Sequence, residues 1–251
     1  MIRIRGGSGI GDSIYVRVVA EHLVRQGKTV TACSDYPDVF IGSGAAVEPF
    51  TRLRINVLAH YSARKPNPLT TQWEDVCDTA GVGRIPLRFD WAVRNQVLVD
   101  DLRVKAGGKP IVLVHGGRTP MGRVDGFGSE LLPRREAFDA VLGAFADCYT
   151  VRIGKAQQIY PLQVDVDMNG GTSVSDLLDL FWSCDSVIAQ CSFAVPLAEC
   201  FGKPLLTVWS ARGLASGQPF IRQITPRKII GAEARYVVDD WSEEKIRELY
   251  R

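Results

Sequence analysis

The chain has 251 residues, enough for one large α/β domain or two small ones, and with 46% hydrophobic and 23% charged residues it has the composition of a folded protein that buries a core. A net charge of +2 implies neither a nucleic-acid nor a membrane partner by itself, and leaves small anions unrepelled. The six cysteines, Cys33, Cys77, Cys148, Cys184, Cys191 and Cys200, form no C-x-x-C pair and sit mostly in apolar segments, as expected of buried thiols in a reducing compartment.

From the start, Ile2 to Arg5 reads as a short strand and Asp12 to Gln26 as a helix, with Val16, Val19, Ala20, Leu23 and Val24 on one apolar stripe and Arg17, Glu21 and Arg25 on the opposite, polar side. Lys28 to Cys33 and Ile55 to Leu58 read as strands, Thr71 to Ala80 and Ala92 to Ala106 as helices. Gly107-Gly108-Lys109-Pro110 is the best boundary, dividing the chain into residues 1–107 and 108–251. A new strand, Ile111 to His115, then reopens the order strand, glycine loop, helix. Ala137, Phe138, Val141, Leu142 and Phe145 form a helix face, and Tyr149 to Ile153 a strand. Leu177, Leu178, Phe181 and Trp182 recur at helical spacing. Ser186 to Ala189 is apolar, Pro196 to Phe201 helical, and Leu205 to Trp209 apolar again, while Ser242 to Tyr250 is a polar surface helix. Helices alternating with buried strands make parallel sheets, which bind ligands outside the carboxyl ends of their strands, here Gln190-Cys191-Ser192 and Trp209-Ser210. Met1 passes directly into a strand, with no long apolar segment, so a cytoplasmic chain without signal peptide or membrane span is expected.

The loop Gly6-Gly7-Ser8-Gly9-Ile10-Gly11-Asp12-Ser13 resists two familiar readings at one residue. Asp12 stands where a dinucleotide fingerprint has its third glycine, and where a phosphate-binding P-loop has its lysine. What remains is a backbone, through Gly9 and Gly11, that a ligand can approach closely, and a carboxylate at a helix start, where the macrodipole favours its ionised form. Such a carboxylate either caps the helix or serves as a general base. Asp165-Val166-Asp167 has the Asp-x-Asp form of a manganese site, but no His or Glu nearby completes it, and His22, His60 and His115 have no zinc-site spacing. No metal or other cofactor is expected.

Two blocks carry a resemblance. One is the strand, small-residue loop and Gly11-Asp12 helix start. The other runs from Ser175-Asp176-Leu177-Leu178 through Cys184 to Ile188, Leu197-Ala198 and Gly202-Lys203-Pro204. Together they resemble the heptosyltransferase group, glycosyltransferase family 9, almost end to end. In the family's Asp-Ser-Gly, His-Leu-Ala block, Ser192, Leu197 and Ala198 are in register, whereas Cys191, Phe193 and Pro196 replace the aspartate, glycine and histidine; Glu130, Leu132 and Pro133 stand at a Lys-x-Trp-Pro element.

The resemblance implies the α/β GT-B fold, two Rossmann-like domains with parallel sheets facing a cleft. It also implies transfer of a sugar from a nucleotide-diphosphate donor to an acceptor hydroxyl, inverting and metal-independent, with Asp12 as the base. The donor would lie against His115, Gly116, Gly117 and Arg118 after the first strand of the second half, and against Gln190, Ser192 and Phe193. Trp209, Ser210 and Arg212 would complete its site, with Arg123 and Arg222 as weaker candidates. The acceptor is a glycan or another hydroxyl. A hydroxymethylated base in DNA is the alternative, and it would engage Arg3, Arg5, Arg64 and Lys65, or Arg222, Arg227 and Lys228. A non-catalytic nucleotide-sugar binder is the reading from another class.

Overall fold

A computed structural model describes residues 1–61, 69–117, 132–154, 160–215 and 236–248. Two parallel sheets organise them. The first contains β1 (Ile2–Arg5), β2 (Val30–Cys33), β3 (Ala46–Glu48) and β4 (Val57–Leu58), in the order β3-β2-β1-β4. The second contains β5 (Ile111–His115), β6 (Tyr149–Arg152), β7 (Val166–Asp167), β8 (Ser186–Gln190), β9 (Leu205–Trp209) and β10 (Tyr236–Val238), in the order β10-β9-β8-β5-β6-β7. Counted from β5, the second sheet has the 3-2-1-4-5-6 order of a dinucleotide-binding fold, and the first repeats its 3-2-1-4 portion. The order therefore reverses between β1 and β4 in one sheet and between β5 and β8 in the other. Those two switch points are where such sheets open a crevice.

The helices are α1 (Ile10–Arg25), α2 (Gln72–Ala80), α3 (Gln96–Ala106), α4 (Arg135–Ala144), α5 (Val174–Ser183), α6 (Ala194–Cys200), α7 (Ala211–Ala215) and α8 (Glu243–Glu248). Local chemistry sets several boundaries. Thr71 caps α2, its hydroxyl accepting from Glu74 N–H at 3.2 Å while the Glu74 carboxylate accepts from Thr71 N–H at 2.7 Å. Asn95 accepts from Leu98 N–H at 3.1 Å, which starts α3 at Gln96 and leaves Ala92 outside the helix. Gly81 and Gly107 close α2 and α3 in the left-handed region, at φ 71° and 59°.

Strand alternation splits the second sheet's core into two layers. Leu113, Val151, Val187 and Ala189 belong to one apolar cluster with α5 and α6. Val112, Val114, Ile188 and Val208 belong to another with Phe138 and Val141 of α4 and Ile246 of α8. The first of these clusters continues without interruption into the first sheet, through Ile4, Ala32 and the apolar face of α1, and α1 packs on α6.

The charged side of α1 departs from the sequence expectation. Arg17 and Glu21 are buried, whereas Arg25 is exposed. The Arg17 guanidinium donates to the carbonyls of Val39, Ile41 (2.9 Å) and Asp90 (2.8 Å) and lies 4.0 Å from the centre of the Phe89 ring. Burial pulls its pKa down to about 10, so it stays a cation at neutral pH. One residue beyond Asp90, the chain is held from the other side. Trp91 Nε1 (2.7 Å), Arg94 N–H and Asn95 N–H (2.7 Å) all donate to the buried Asp179 carboxylate of α5.

Candidate active site

The first switch point assembles around Asp12. Helix α1 begins at Ile10, two residues earlier than the sequence pattern indicates, so Gly9 is its N-cap and Asp12 its third residue. From there the carboxylate reaches back, Oδ2 accepting from Gly9 N–H at 3.1 Å. The other oxygen, Oδ1, lies 3.3 Å from His60 Nε2. Parallel pairing brings His60 there: Arg5 of β1 is opposite Leu58 of β4, and Ala59 N–H donates to Arg5 O at 2.8 Å. Each side chain is 19% exposed. Gly7 makes room for both, since a Cβ on it would stand 2.3 Å from Asp12 Oδ2 and 2.8 Å from His60 Nε2.

An aromatic wall backs the pair. The His60 ring stacks on Tyr61 (4.7 Å, 21°), Tyr61 meets the Tyr15 ring edge-on at 6.5 Å, and Tyr15 stacks on Trp73 at 5.6 Å. Burial, reinforced by the Asp12 charge, pushes the Tyr15 and Tyr61 hydroxyls well up, so both remain protonated donors.

The second switch point faces the first. A Cβ on Gly11 would lie 3.5 Å from Phe193 Cα, so the start of α1 abuts the start of α6. Ser192 Oγ accepts from Ala194 N–H at 3.2 Å, and His115 packs edge-on against Phe193 with centroids 4.8 Å apart. Cys191, which takes the place of the family's aspartate, is held as a thiol by burial, which raises it to about 12. The structure thus brings together Gly9, Gly11, Asp12, His115, Ser192 and Phe193. His60 and Tyr61 join them unforeseen by sequence.

Other residues expected at the donor have structural partners. Gly116 and Gly117 are both closely packed. A Cβ on Gly116 would meet Phe138 Cζ at 2.4 Å, and Gly117, at φ 73°, would put one 2.5 Å from the Arg152 guanidinium. That buried guanidinium donates to Gly116 O and Tyr160 O, each at 3.0 Å, fixing the loop's carbonyls. Trp209 is a core residue whose indole N–H donates to Thr207 Oγ1 at 2.7 Å. Gln190 and Ser210 are buried as well, and Arg212 is exposed. Arg118, Arg123 and Glu130 lie outside the described residues, as do Arg64, Lys65, Arg222, Arg227 and Lys228. Arg3 pairs with Glu48, and Arg5 donates to Gly6 O at 2.9 Å. In the Asp-x-Asp segment, Asp165 accepts from Thr150 N–H and Oγ1 at 2.7 and 2.8 Å, while Asp167 lies 3.8 Å from Arg152. Among the described residues no helix is long and apolar enough to cross a membrane.

The packing of Gly116 is directly testable. Gly116→Ala is expected to destabilise the protein by about 1–3 kcal/mol in urea unfolding, the usual cost of overfilling a packed core. A loss below about 0.5 kcal/mol would mean that Phe138 turns aside freely.

No family model matches the chain, and no curated protein matches it in sequence. Solved structures do match it in fold. It is similar to the ADP-heptose LPS heptosyltransferase II of E. coli, with 9% identity, 98% of this chain and 96% of that one covered, and a TM-score of 0.61. It is similar also to a family 9 glycosyltransferase from Veillonella parvula DSM 2008, with 10% identity, 99% and 89% coverage and a TM-score of 0.62. The E. coli heptosyltransferase WaaC with ADP matches at 9% identity, 99% and 96% coverage and a TM-score of 0.53. At such identities the likeness establishes architecture. The chain has the GT-B fold of the heptosyltransferases and family 9 glycosyltransferases, as the Gly11-Asp12 and Ser175-to-Pro204 blocks led one to expect.

Proposed function

We propose that this protein is a glycosyltransferase that moves a sugar from a nucleotide-diphosphate donor to the hydroxyl of a glycan, with inversion and without a metal ion, and that Asp12 is its general base. The observation that carries the proposal is the apposition of the two switch points. The start of α1, which carries the Asp12 carboxylate, abuts the β8–α6 turn, within a fold whose similar structures include proteins described with ADP-heptose and with ADP. Asp12 accepts the hydroxyl proton as the acceptor oxygen attacks the anomeric carbon. The bond from that carbon to the diphosphate breaks, and the nucleoside diphosphate leaves with the electron pair. Backbone amides at the start of α6 and basic side chains stabilise the departing charge. Asp165 is occupied by Thr150, which supports a reaction without a metal at the Asp-x-Asp segment. All six cysteines are free, in keeping with a cytoplasmic location.

The test is a thermal-shift series with ADP, UDP and GDP on the whole chain, followed by an assay of nucleoside diphosphate release from the matching sugar donors in the presence of glycan acceptors. A ligand at one hundred times its Kd stabilises the native state by about 2.7 kcal/mol, or roughly 5–10 °C in a chain of this size. No shift with any diphosphate at millimolar concentration would refute the proposal. A shift without release would favour the binder reading, to which Cys191 in place of the family's aspartate lends weight.

A further inference from the structure

The Asp12 carboxylate is held at both oxygens, and only one of the two holds is backbone. Oδ2 is tied to Gly9 N–H, and Oδ1 faces His60 Nε2 at 3.3 Å. An imidazole nitrogen facing an ionised carboxylate carries its proton, because a bare lone pair there would be repelled. The ring is kept in that direction by its stacking on Tyr61, and the glycine loop is shaped to admit the pair at Gly7.

We propose that His60 is a positioning residue for Asp12: its Nε2–H holds Oδ1 while Gly9 N–H holds Oδ2, so that the carboxylate keeps one orientation. The proposal rests on the glycosyltransferase reading. Its physical basis is that a hydrogen bond at each oxygen fixes the rotation of a carboxylate, and a catalytic group displaced by about 1 Å loses about 100-fold in rate.

The other groups around the pair come from several elements. Tyr61 follows β4, Tyr15 lies on α1, and Cys191 follows β8; burial raises all three and keeps them protonated at neutral pH. Glu199 of α6 lies behind Tyr15, its carboxyl raised by burial, with Arg88 opposing that shift. Arg5, at the end of β1, is directed to Gly6 O and the Phe50 ring.

The experiment compares wild type, His60→Gln and His60→Ala at pH 8, with ring ¹⁵N spectra of wild type and Asp12→Asn. His60→Gln, which keeps an N–H donor, is expected to lose about 3- to 10-fold in kcat. His60→Ala loses about 100-fold in kcat with the donor KM unchanged, as expected of a misplaced base. Full kcat in His60→Ala, or a His60→Gln protein no more active than His60→Ala, overturns the proposal. So does a His60→Gln protein as inactive as Asp12→Asn, because the imidazole would then itself be taking the proton. In the spectra, Nε2 is protonated in wild type and changes on Asp12→Asn; a ring indifferent to that change overturns the pairing whatever the turnover. A protein with the paired ring and no turnover of any donor instead refutes the glycosyltransferase reading and leaves the pairing supported.

Discussion

Asp12→Asn is expected to lower kcat by about 10²- to 10⁴-fold, the usual contribution of a general base, while leaving the fold and donor affinity in place. The two effects separate because Asp12 has two tasks. Its structural task is to accept from Gly9 N–H, and an asparagine carbonyl oxygen does that equally well. Stability should therefore change by less than about 1 kcal/mol, even with His60 nearby, since a neutral imidazole can reverse its tautomer to accept from the new amide. In the proposed reaction its chemical task is to take a proton, which an amide cannot do. Nucleoside diphosphate release, thermal midpoint and donor binding should be measured on one preparation. More than a tenth of wild-type turnover in Asp12→Asn would show that proton removal lies elsewhere, and a collapsed midpoint would show that the carboxylate is chiefly a cap.

The largest effect on stability is expected at Asp179. Its carboxylate has no solvent exposure and accepts from Trp91 Nε1 at 2.7 Å, Arg94 N–H at 3.1 and 3.2 Å, and Asn95 N–H at 2.7 Å. Asp179→Ala leaves three N–H donors facing a void, two of them backbone groups that cannot turn away. Each unsatisfied buried donor costs about 1–3 kcal/mol. Partial relaxation and water entry bring the expected total to about 3–5 kcal/mol, or on the order of 10 °C in thermal midpoint. Asp179→Asn should recover only part of this, since one of its two polar groups is itself a donor. Urea unfolding of both variants checks the expectation; a loss under about 1 kcal/mol for Asp179→Ala would mean that Trp91, Arg94 and Asn95 find other acceptors.

The parts of this fold that were legible in sequence are those whose burial is uniform along the chain. β5, β8 and β9 are five-residue runs buried almost throughout, and α5 has a clean apolar face. β3, β7 and β10 were missed because strands of two or three residues at a sheet edge are too short to show a period. Arg17 and Glu21 looked solvent-facing because charge usually is; nothing nearby in the chain announces the carbonyls of Val39, Ile41 and Asp90 that receive the guanidinium. Asp12 could be found as a departure from two glycine-loop patterns. His60 could not, since its meeting with Asp12 depends on β4 lying beside β1, a pairing between segments more than fifty residues apart. The one available signal was its place just after the apolar Val57-Leu58 pair, at a strand's carboxyl end. Gly116 and Gly117 show that one composition has two sources: beside the phosphate-loop expectation, an aromatic ring and a guanidinium pressed against the backbone also call for glycine there.

The apolar cluster that runs from the first sheet through α1, α5 and α6 into the second has a mechanical meaning. Where Tyr15, Phe89 and Phe201 share one interior, and Arg17 of α1 and Asp179 of α5 hold the neighbouring residues Asp90 and Trp91, neither half can swing away without wetting the other. Parting the two sheets would therefore expose apolar surface on both sides, so the apposition of the two switch points is held by the same interior that holds the fold.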